Sequence, residues 1–362
     1  MAQHLGFTFT LLAVIGLVAW TAWRFWLILP FSPLWKWLFT GLYLLSFLVI
    51  IPHYALGDRM PLWLATLTYE LGTSWMIFFL YAVILFAVLG IGRLLRLVPD
   101  AFLKDSLPGS LTVLGIIAAL LVYGGIHYRH KYREAIDIKT EKPLGRPLTI
   151  VLASDLHVGY HNRRPELSRW VDMINAEKPD LVLFAGDIID GELRPVREGR
   201  YEEEFRRIDA PVFACLGNHE YIGGKNGSEA FYADAGIRLL RDSSAVFADI
   251  RIIGRDDRSN PRRYGLSRLA DSADGRFTIL LDHQPYHLEE AEAAGIDFQF
   301  SGHTHHGQVW PGNWFTDAMY EKAFGAHRRG STQYYISSGL GIWGGKFRIG
   351  TRSEYVVLTL HN

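Results

Sequence analysis

The chain has 362 residues, enough for about two domains. Its 37 basic and 37 acidic residues cancel to a formal net charge of zero, which excludes nucleic-acid binding by bulk electrostatics. The single cysteine, Cys215, excludes an intramolecular disulfide and a cysteine-ligated zinc site, and it leaves the redox compartment open.

The N-terminal third is apolar. Four stretches have about the length of 20 residues that a membrane-crossing helix needs: 6–29, 35–56, 71–92 and 106–126. A signal peptide explains one such segment but not four, and helices of a soluble bundle keep a polar face. We therefore predict that residues 1–126 form a multi-pass membrane region that anchors the protein in a cell membrane.

The positions of the basic residues indicate on which side of the membrane the C-terminal domain lies. With four spans, the N-terminus and the C-terminal domain share one side. That side carries Arg59, Arg129, Lys131 and Arg133, and the other carries Lys36, Arg93, Arg96 and Lys104. The counts are close, but the basic cluster that directly follows the last span favours a cytoplasmic domain.

Residues 127–147 are polar and contain two prolines, which indicates a linker, with 135–138 as a candidate edge strand. From residue 148 to 362, apolar runs with β-branched residues alternate with helical patterns. The predicted strands are Leu148–Ala153, Leu181–Ala185, Val212–Leu216, Phe277–Leu281, Asp297–Phe300, Tyr334–Ile336 and Tyr355–Leu360. A helix over Pro165–Glu177 has apolar residues at helical spacing. This alternation predicts a layered α/β domain.

Polar side chains follow each of the first five strands. Because chemistry gathers beyond the carboxyl ends of strands in such sheets, we expect these side chains to converge. Any one of them is an ordinary turn residue, but all five together indicate metal coordination. The candidate ligands are two aspartates, one asparagine and four histidines: Asp155, Asp187, Asn218, His157, His283, His303 and His305. Oxygen and nitrogen donors without a thiolate suit a pair of divalent manganese, iron or zinc ions.

These residues resemble a known family. The blocks Asp155-x-His157, Gly186-Asp187-x-x-Asp190, Gly217-Asn218-His219-Glu220, His283 and Gly302-His303-x-His305 resemble, in order, those of the calcineurin-like metallophosphoesterases. The resemblance extends from Leu148 to the C-terminus. The finer text around Ser154–His157 and Gly302–Gln308 is similar to the membrane-associated bacterial branch. The resemblance implies an α/β/β/α-type sandwich and two metal ions, with manganese favoured, and it implies a bacterial cell membrane for the N-terminal region.

The resemblance also implies a role for each residue. One ion would be held by Asp155, His157, Asp187 and His305, and the second by Asp187, Asn218, His283 and His303, so that Asp187 bridges. His219 would act as the general acid or stabilise the transition state. Asp190 and Glu220 would orient histidines.

Three further features have two interpretations each. Arg163 and Arg164 either bind a substrate phosphate or form a solvated surface pair. The tryptophans Trp310, Trp314 and Trp343 either pack loops or form an apolar lip for a lipid-linked substrate. His306, where members of the family often have glycine, is either an extra contact or a tolerated neighbour.

The sequence therefore predicts a membrane-anchored, binuclear phosphoesterase. It would hydrolyse a phosphate ester or pyrophosphate by metal-activated hydroxide. The substrate would be a phosphorylated small molecule or a lipid-linked, UDP-diacylglucosamine-like compound. The alternative is a non-catalytic regulatory or sensor domain fused to a membrane bundle. Inactive members of the family usually lose ligands, and here every ligand block is present.

Overall fold

The first of two units in the chain is helical. The structure is a computed structural model that describes residues 2–270 and 275–362, apart from the side chains of residues 2–7 and 225. The chain divides into the units Met1–Ile126 and His127–Asn362. The helices that begin in the first unit are α1 (Ala2–Ile28), α2 (Pro33–Leu48), α3 (Ile50–Leu56), α4 (Leu62–Leu94), α5 (Asp100–Leu103) and α6 (Leu107–Arg129), with a 3₁₀ turn at Gly57–Arg59.

Four helical stretches are long and apolar enough to cross a membrane by length and composition: 8–28, 33–59, 62–94 and 107–129. The prediction of four long apolar N-terminal helices is confirmed. The third begins before the predicted residue 71, because Glu70 lies inside α4 and a single carboxylate does not end a helix. Buried aromatic rings pack the unit; Phe25 on α1 lies 4.9 Å from the ring of Phe86 on α4.

Two six-stranded sheets form the second unit. Their strands are β1 (Lys131–Lys139), β2 (Leu148–Ala153), β3 (Leu181–Ala185), β4 (Val212–Cys215), β5 (Ile237–Leu239), β6 (Ser243–Phe247), β7 (Ile250–Gly254), β8 (Phe277–Leu281), β9 (Phe298–Ser301), β10 (Gly325–Arg329), β11 (Thr332–Ile336) and β12 (Ser353–His361). The strand orders are β1-β12-β2-β3-β4-β5 and β10-β11-β9-β8-β7-β6. Strands β2 to β5 run parallel, as do β7 to β9, so the carboxyl ends within each set lie at one edge.

Helices cover the outer faces of both sheets. The helices of this unit are α7 (Arg164–Ala176), α8 (Arg194–Glu198), α9 (Glu202–Phe205), α10 (Asn218–Ile222), α11 (Lys225–Asp234), α12 (Leu266–Ala270), α13 (Leu288–Ala293) and α14 (Gly312–Met319). Of these, α7, α8, α9 and α11 pack on the first sheet, and α12 and α13 pack on the second. Successive residues of a strand point to opposite faces of its sheet. On β2, Val151 therefore packs in a cluster with Trp170 of α7, whereas Ile150 packs in a cluster with Ile279 of the other sheet. The predicted α/β/β/α sandwich is confirmed.

The structure differs from the sequence prediction between residues 127 and 147. The candidate edge strand at 135–138 is part of a longer strand: β1 pairs in parallel with β12 along nine residues, from Lys131 opposite Ser353 to Lys139 opposite His361. The strand was underestimated because it lies at the sheet edge, where charged residues occupy both faces and hide the alternation.

Candidate metal centre

The polar groups that follow β2, β3, β4, β8 and β9 meet at one place. The structure brings all seven predicted ligands together there. Within this cluster three groups have donor atoms that all lie within 4.8 Å of one another: Asp155–His157–His305, His157–Asp187–His219 and Asp187–His283–His303. Such groups can hold a metal ion, and their shared members make the three groups one continuous cluster.

In the first group, two imidazole rings face each other. His157 Nε2 lies 3.0 Å from His305 Nε2, and His305 Nε2 lies 3.4 Å from Asp155 Oδ1. On its other ring nitrogen, Nδ1, His157 donates to Asp190 Oδ1 at 3.0 Å. His157 Nε2 therefore faces His305 Nε2, an arrangement that suits a shared cation.

The second group collects one carboxylate, one carboxamide and two imidazoles. Asn218 Oδ1 lies 2.8 Å from His303 Nδ1 and 3.2 Å from His283 Nε2. Asp187 Oδ2 lies 3.2 Å from the same His283 nitrogen and 3.6 Å from His157 Nε2. His283 donates from Nδ1 to the Ala185 carbonyl at 2.7 Å, which leaves Nε2 as the donor atom for a metal. Asp187 therefore contacts both groups.

Three buried carboxylates make the cluster strongly negative. Burial alone would raise their pKa values, but nearby histidines outweigh it and hold the pKa of each below its usual range; the three are Asp155, Asp187 and Asp190. Against the opposing effect of burial, hydrogen bonds to Asp155 and Asp190 raise the pKa of His157 to about 10. The carboxylates thus favour positive charge here, which a divalent cation supplies.

Two other histidines of the cluster, His303 and His305, have lowered pKa values, which favours the neutral ring. Burial, together with the charge of His283, lowers the pKa of His303 to about 4. Burial also lowers the pKa of His305, and the neighbouring His157 adds to the effect. Neutral imidazole is the form that binds a metal, so both rings are ready as ligands.

The backbone of the cluster is strained. Five of the seven predicted ligands have left-handed φ angles between 45° and 71°: Asp155, His157, Asp187, His303 and His305. Such conformations cost about 1–3 kcal/mol each in non-glycine residues and concentrate at functional sites. Two positions near these ligands require glycine, because a Cβ would collide with a carboxylate. A Cβ on Gly217 would lie 2.2 Å from an oxygen of Asp187, and a Cβ on Gly302 would lie 2.2 Å from an oxygen of Asp155.

Asp190 and Glu220 act on different groups. Asp190 contacts two histidines, since its Oδ1 also lies 3.3 Å from His219 Nδ1. Glu220 accepts instead from backbone amides, those of Gly217 at 2.7 Å, Ile189 at 3.0 Å and Asp187 at 3.1 Å. The sequence-based expectation that Glu220 orients a histidine therefore needs correction. Its carboxylate fixes the β3 and β4 loops, a contact that strand-end patterns cannot show.

His219 is a partly exposed histidine of the cluster, and its backbone contacts Asp187. Its backbone amide donates to Asp187 Oδ1 at 2.9 Å, and its side chain is 15% exposed, compared with 0% for His157. The ring of Trp343 lies 6.5 Å from the His219 ring. His219 is therefore accessible to a substrate from solvent.

The other predicted site residues lie around the cluster. Arg163 is exposed at the N-terminus of α7. Arg164 pairs with Glu204 at 2.9 Å and Glu203 at 3.1 Å, so its guanidinium is already bound to two carboxylates. His306 stacks on Phe324, with ring centroids 4.8 Å apart. A phosphate-binding role for the two arginines stays a prediction.

Sequence reasoning missed two features that support the site. The first is Arg348, which is fully buried. It donates to the carbonyls of His305 at 2.7 Å and Gly341 at 3.1 Å, and so fixes the loop that carries His305. Burial lowers the pKa of its guanidinium to about 10. Nothing in the local sequence distinguishes this residue from a surface arginine.

The second feature is the loop after β7. Asp257 is buried, and it accepts from Gln284 Nε2 at 2.8 Å. This bond ties the β7 loop to the loop of His283. The segment Ile250–Ile253, which is apolar except for Arg251, is followed by Gly-Arg-Asp-Asp. This strand-and-carboxylate pattern resembles that of the other blocks and could have found the loop.

A two-sheet sandwich that gathers aspartate, asparagine and histidine donors at its strand ends has the architecture of a metallophosphoesterase. A family model described as calcineurin-like phosphoesterase matches residues 148–307. An uncharacterised metallophosphoesterase of Aquifex aeolicus is 30% identical over 239 residues, which cover 63% of this chain and 90% of that protein. The chain belongs to the calcineurin-like metallophosphoesterases.

Two further relatives extend the comparison. An uncharacterised metallophosphoesterase of Campylobacter jejuni is 29% identical over 255 residues, 68% of each chain. A transmembrane protein with metallophosphoesterase domain from Danio rerio is 28% identical over 345 residues, covering 88% of this chain and 77% of that protein. The second similarity therefore includes much of the apolar N-terminal unit.

Proposed function

We propose that the protein is a membrane-anchored phosphoesterase that binds two divalent metal ions and hydrolyses a phosphate ester or pyrophosphate bond. The observation that carries the proposal is the contact of Asp187 with both donor groups, 3.2 Å from His283 and 3.6 Å from His157. One ion would be held by Asp155, His157, Asp187 and His305, and the other by Asp187, Asn218, His283 and His303. Manganese is the favoured metal.

The metal ions and the surrounding residues have different roles in the proposed reaction. Divalent cations, when bound, would act as Lewis acids toward phosphoryl oxygens. They would also lower the pKa of water, so that hydroxide is available to attack phosphorus. His219 gives a proton to the oxygen of the leaving group as the P–O bond breaks, or stabilises the charge that develops there. Asp190, 3.3 Å from His219 Nδ1, orients that ring. Asn218 binds without adding negative charge, so the site still attracts an anionic phosphate.

The proposal is tested with the purified full-length protein in detergent. We expect it to hydrolyse bis-p-nitrophenyl phosphate or p-nitrophenyl phosphate when Mn²⁺ is added, and to lose this activity after dialysis against a chelator. Restoration by Mn²⁺, with two equivalents bound by elemental analysis, supports a binuclear site. A protein that binds no metal and has no activity would instead support the regulatory alternative.

Anchoring in the membrane rests on the four long apolar helices. A cytoplasmic catalytic domain is the orientation that we propose, from the basic residues Arg129, Lys131 and Arg133 that follow the last span. A C-terminal fusion to a reporter that is active only in the cytoplasm checks this side. Activity of a reporter that works only outside the membrane would reverse it.

A lipid-linked substrate, such as a UDP-diacylglucosamine-like compound, is supported by exposed apolar side chains on α14 and near His219. Trp314 is 62% exposed, Phe315 70% and Met319 64%, and Trp343, close to His219, is 42% exposed. Exposed apolar patches of this kind bind partners or lipids. The sequence-based alternative, that the tryptophans only pack loops, does not account for this exposure.

Removal of this apolar surface gives a specific prediction. We expect the double variant Trp314→Ser/Phe315→Ser to lower kcat/KM for an acylated substrate relative to its soluble head group by about 10- to 100-fold, because burial of each large side chain is lost. The matched control is Val246→Ser, since Val246 is 49% exposed on β6. Equal kcat/KM of the wild type for the acylated substrate and its head group would refute a lipid-linked substrate.

A further inference from the structure

Arg258 lies in the loop after β7, next to the loop of a predicted metal ligand. Two contacts fix it to the loop that carries the predicted ligand His283. Gln284 Nε2 donates to Asp257 at 2.8 Å, and one residue further on the Arg258 guanidinium carbon lies 4.3 Å from the centre of the Tyr286 ring. Arg258 is therefore held on the same side of the cluster as His283.

Aromatic rings connect Arg258 with a second ligand. The centroids of Tyr286 and Tyr320 lie 4.7 Å apart, and their hydroxyls are 3.0 Å apart. The Tyr320 ring in turn lies 6.4 Å from the ring of His303. Two tyrosines with tilted rings thus form a wall from His303 to Arg258, and the guanidinium lies at its outer end.

In the part of the chain that the structure describes, no carboxylate neutralises the guanidinium of Arg258. Three neighbouring arginines each pair with a buried aspartate: Arg241 with Asp256 at 2.8 Å, and Arg255 and Arg263 with Asp282 at 3.2 and 3.3 Å. Within residues 2–270 and 275–362, no carboxylate forms an ion pair with Arg258, whose side chain is exposed. A guanidinium that is held by a ring face keeps its N–H donors for an anion, and phosphate fits that donor geometry.

We propose that Arg258 binds a second phosphate group of the substrate, so that the site prefers a pyrophosphate over an isolated phosphate ester. This inference rests on the proposed function, in which the metal centre holds the phosphate that is attacked. The second phosphate lies along the tyrosine wall and accepts hydrogen bonds from the guanidinium. A phosphodiester without a second phosphate has no group for Arg258 to bind.

The experiment compares two substrates whose attacked phosphorus carries one negative charge in both. ADP-ribose has a second phosphate, and bis-p-nitrophenyl phosphate has none. We expect Arg258→Gln to lower the ratio of kcat/KM for ADP-ribose to that for bis-p-nitrophenyl phosphate by about 10- to 100-fold, chiefly through KM, as loss of a charged hydrogen bond does. Arg258→Lys should restore part of the ratio.

The control is Arg262→Gln, which removes an exposed arginine from the same loop and should leave the ratio unchanged. Calorimetric titration of the metal-loaded proteins gives a second measurement. We expect the wild type to bind methylenediphosphonate more tightly than methylphosphonate, and Arg258→Gln to lose most of this difference.

The possible failures are distinguishable. If the wild type hydrolyses bis-p-nitrophenyl phosphate but Arg258→Gln leaves the substrate ratio and the diphosphonate affinity unchanged, the inference is wrong and the proposed function stands. An equal loss on both substrates also overturns it, because Arg258 then acts on the site as a whole. If the metal-loaded wild type hydrolyses neither substrate, the proposed function fails and this inference fails with it.

Discussion

Replacing Asp187 by asparagine will lower kcat for bis-p-nitrophenyl phosphate by about 10³-fold or more, because each 1.4 kcal/mol of lost stabilisation is about tenfold in rate and a bound metal supplies several kcal/mol. Asp187 is the residue whose carboxylate reaches both donor groups, with Oδ2 at 3.2 Å from His283 and 3.6 Å from His157. Asparagine keeps the shape but has one oxygen and no charge. We therefore expect elemental analysis to show less metal bound per protein.

Asp172→Asn is the matched control, since the Asp172 carboxylate is 60% exposed and pairs with Arg207 on the surface of the same unit. This variant should keep wild-type turnover and metal content. Near-UV circular dichroism checks that Asp187→Asn remains folded. A folded Asp187→Asn protein that holds two metal equivalents and turns over at the wild-type rate would show that Asp187 is not a bridging ligand.

The metal ligands could be predicted from the sequence, because the pattern that marks each of them lies within one strand and the loop that follows it. Each candidate ligand directly follows a buried apolar strand, as Asp155 follows β2 and His303 follows β9. Parallel pairing then places the strand ends of each sheet at one edge. The packing of the two sheets on each other brings the two sets of ends together. The family resemblance adds which imidazole goes with which carboxylate, a division that the distances around Asp187 support.

The parts that escaped prediction depend on contacts between distant segments. Glu220 binds backbone amides of β3 and β4 loops, and Arg348 reaches the carbonyl of His305, 43 residues away. Burial distinguishes both residues from surface charges, and burial is a property of the folded chain. Arg258 is similar, because its importance arises from the ring of Tyr286 beneath it and from the pairing of its neighbours. Only the middle of strand β1 was predicted, because the partner that extends it, β12, is at the other end of the unit.

A second large effect is expected at His219. Replacing it with asparagine should lower kcat by about 10²- to 10⁴-fold, the range that a general acid contributes. The metal content should be unchanged, because the imidazole contacts Asp190 and is more exposed than the predicted ligand His157. This combination separates His219→Asn from Asp187→Asn, which should lose both activity and metal.

The leaving group decides which of the two roles His219 has. A p-nitrophenolate leaves easily without a proton, whereas an alkoxide needs one as the P–O bond breaks. If His219 is a general acid, His219→Asn will therefore lower kcat for an alkyl phosphate ester much more than for a p-nitrophenyl ester. An equal loss on both esters assigns it to charge stabilisation in the transition state instead. The control is His361→Asn, a change near the C-terminus that should leave both rates unaltered. If His219→Asn hydrolyses both esters at wild-type rates, His219 has no role in the reaction.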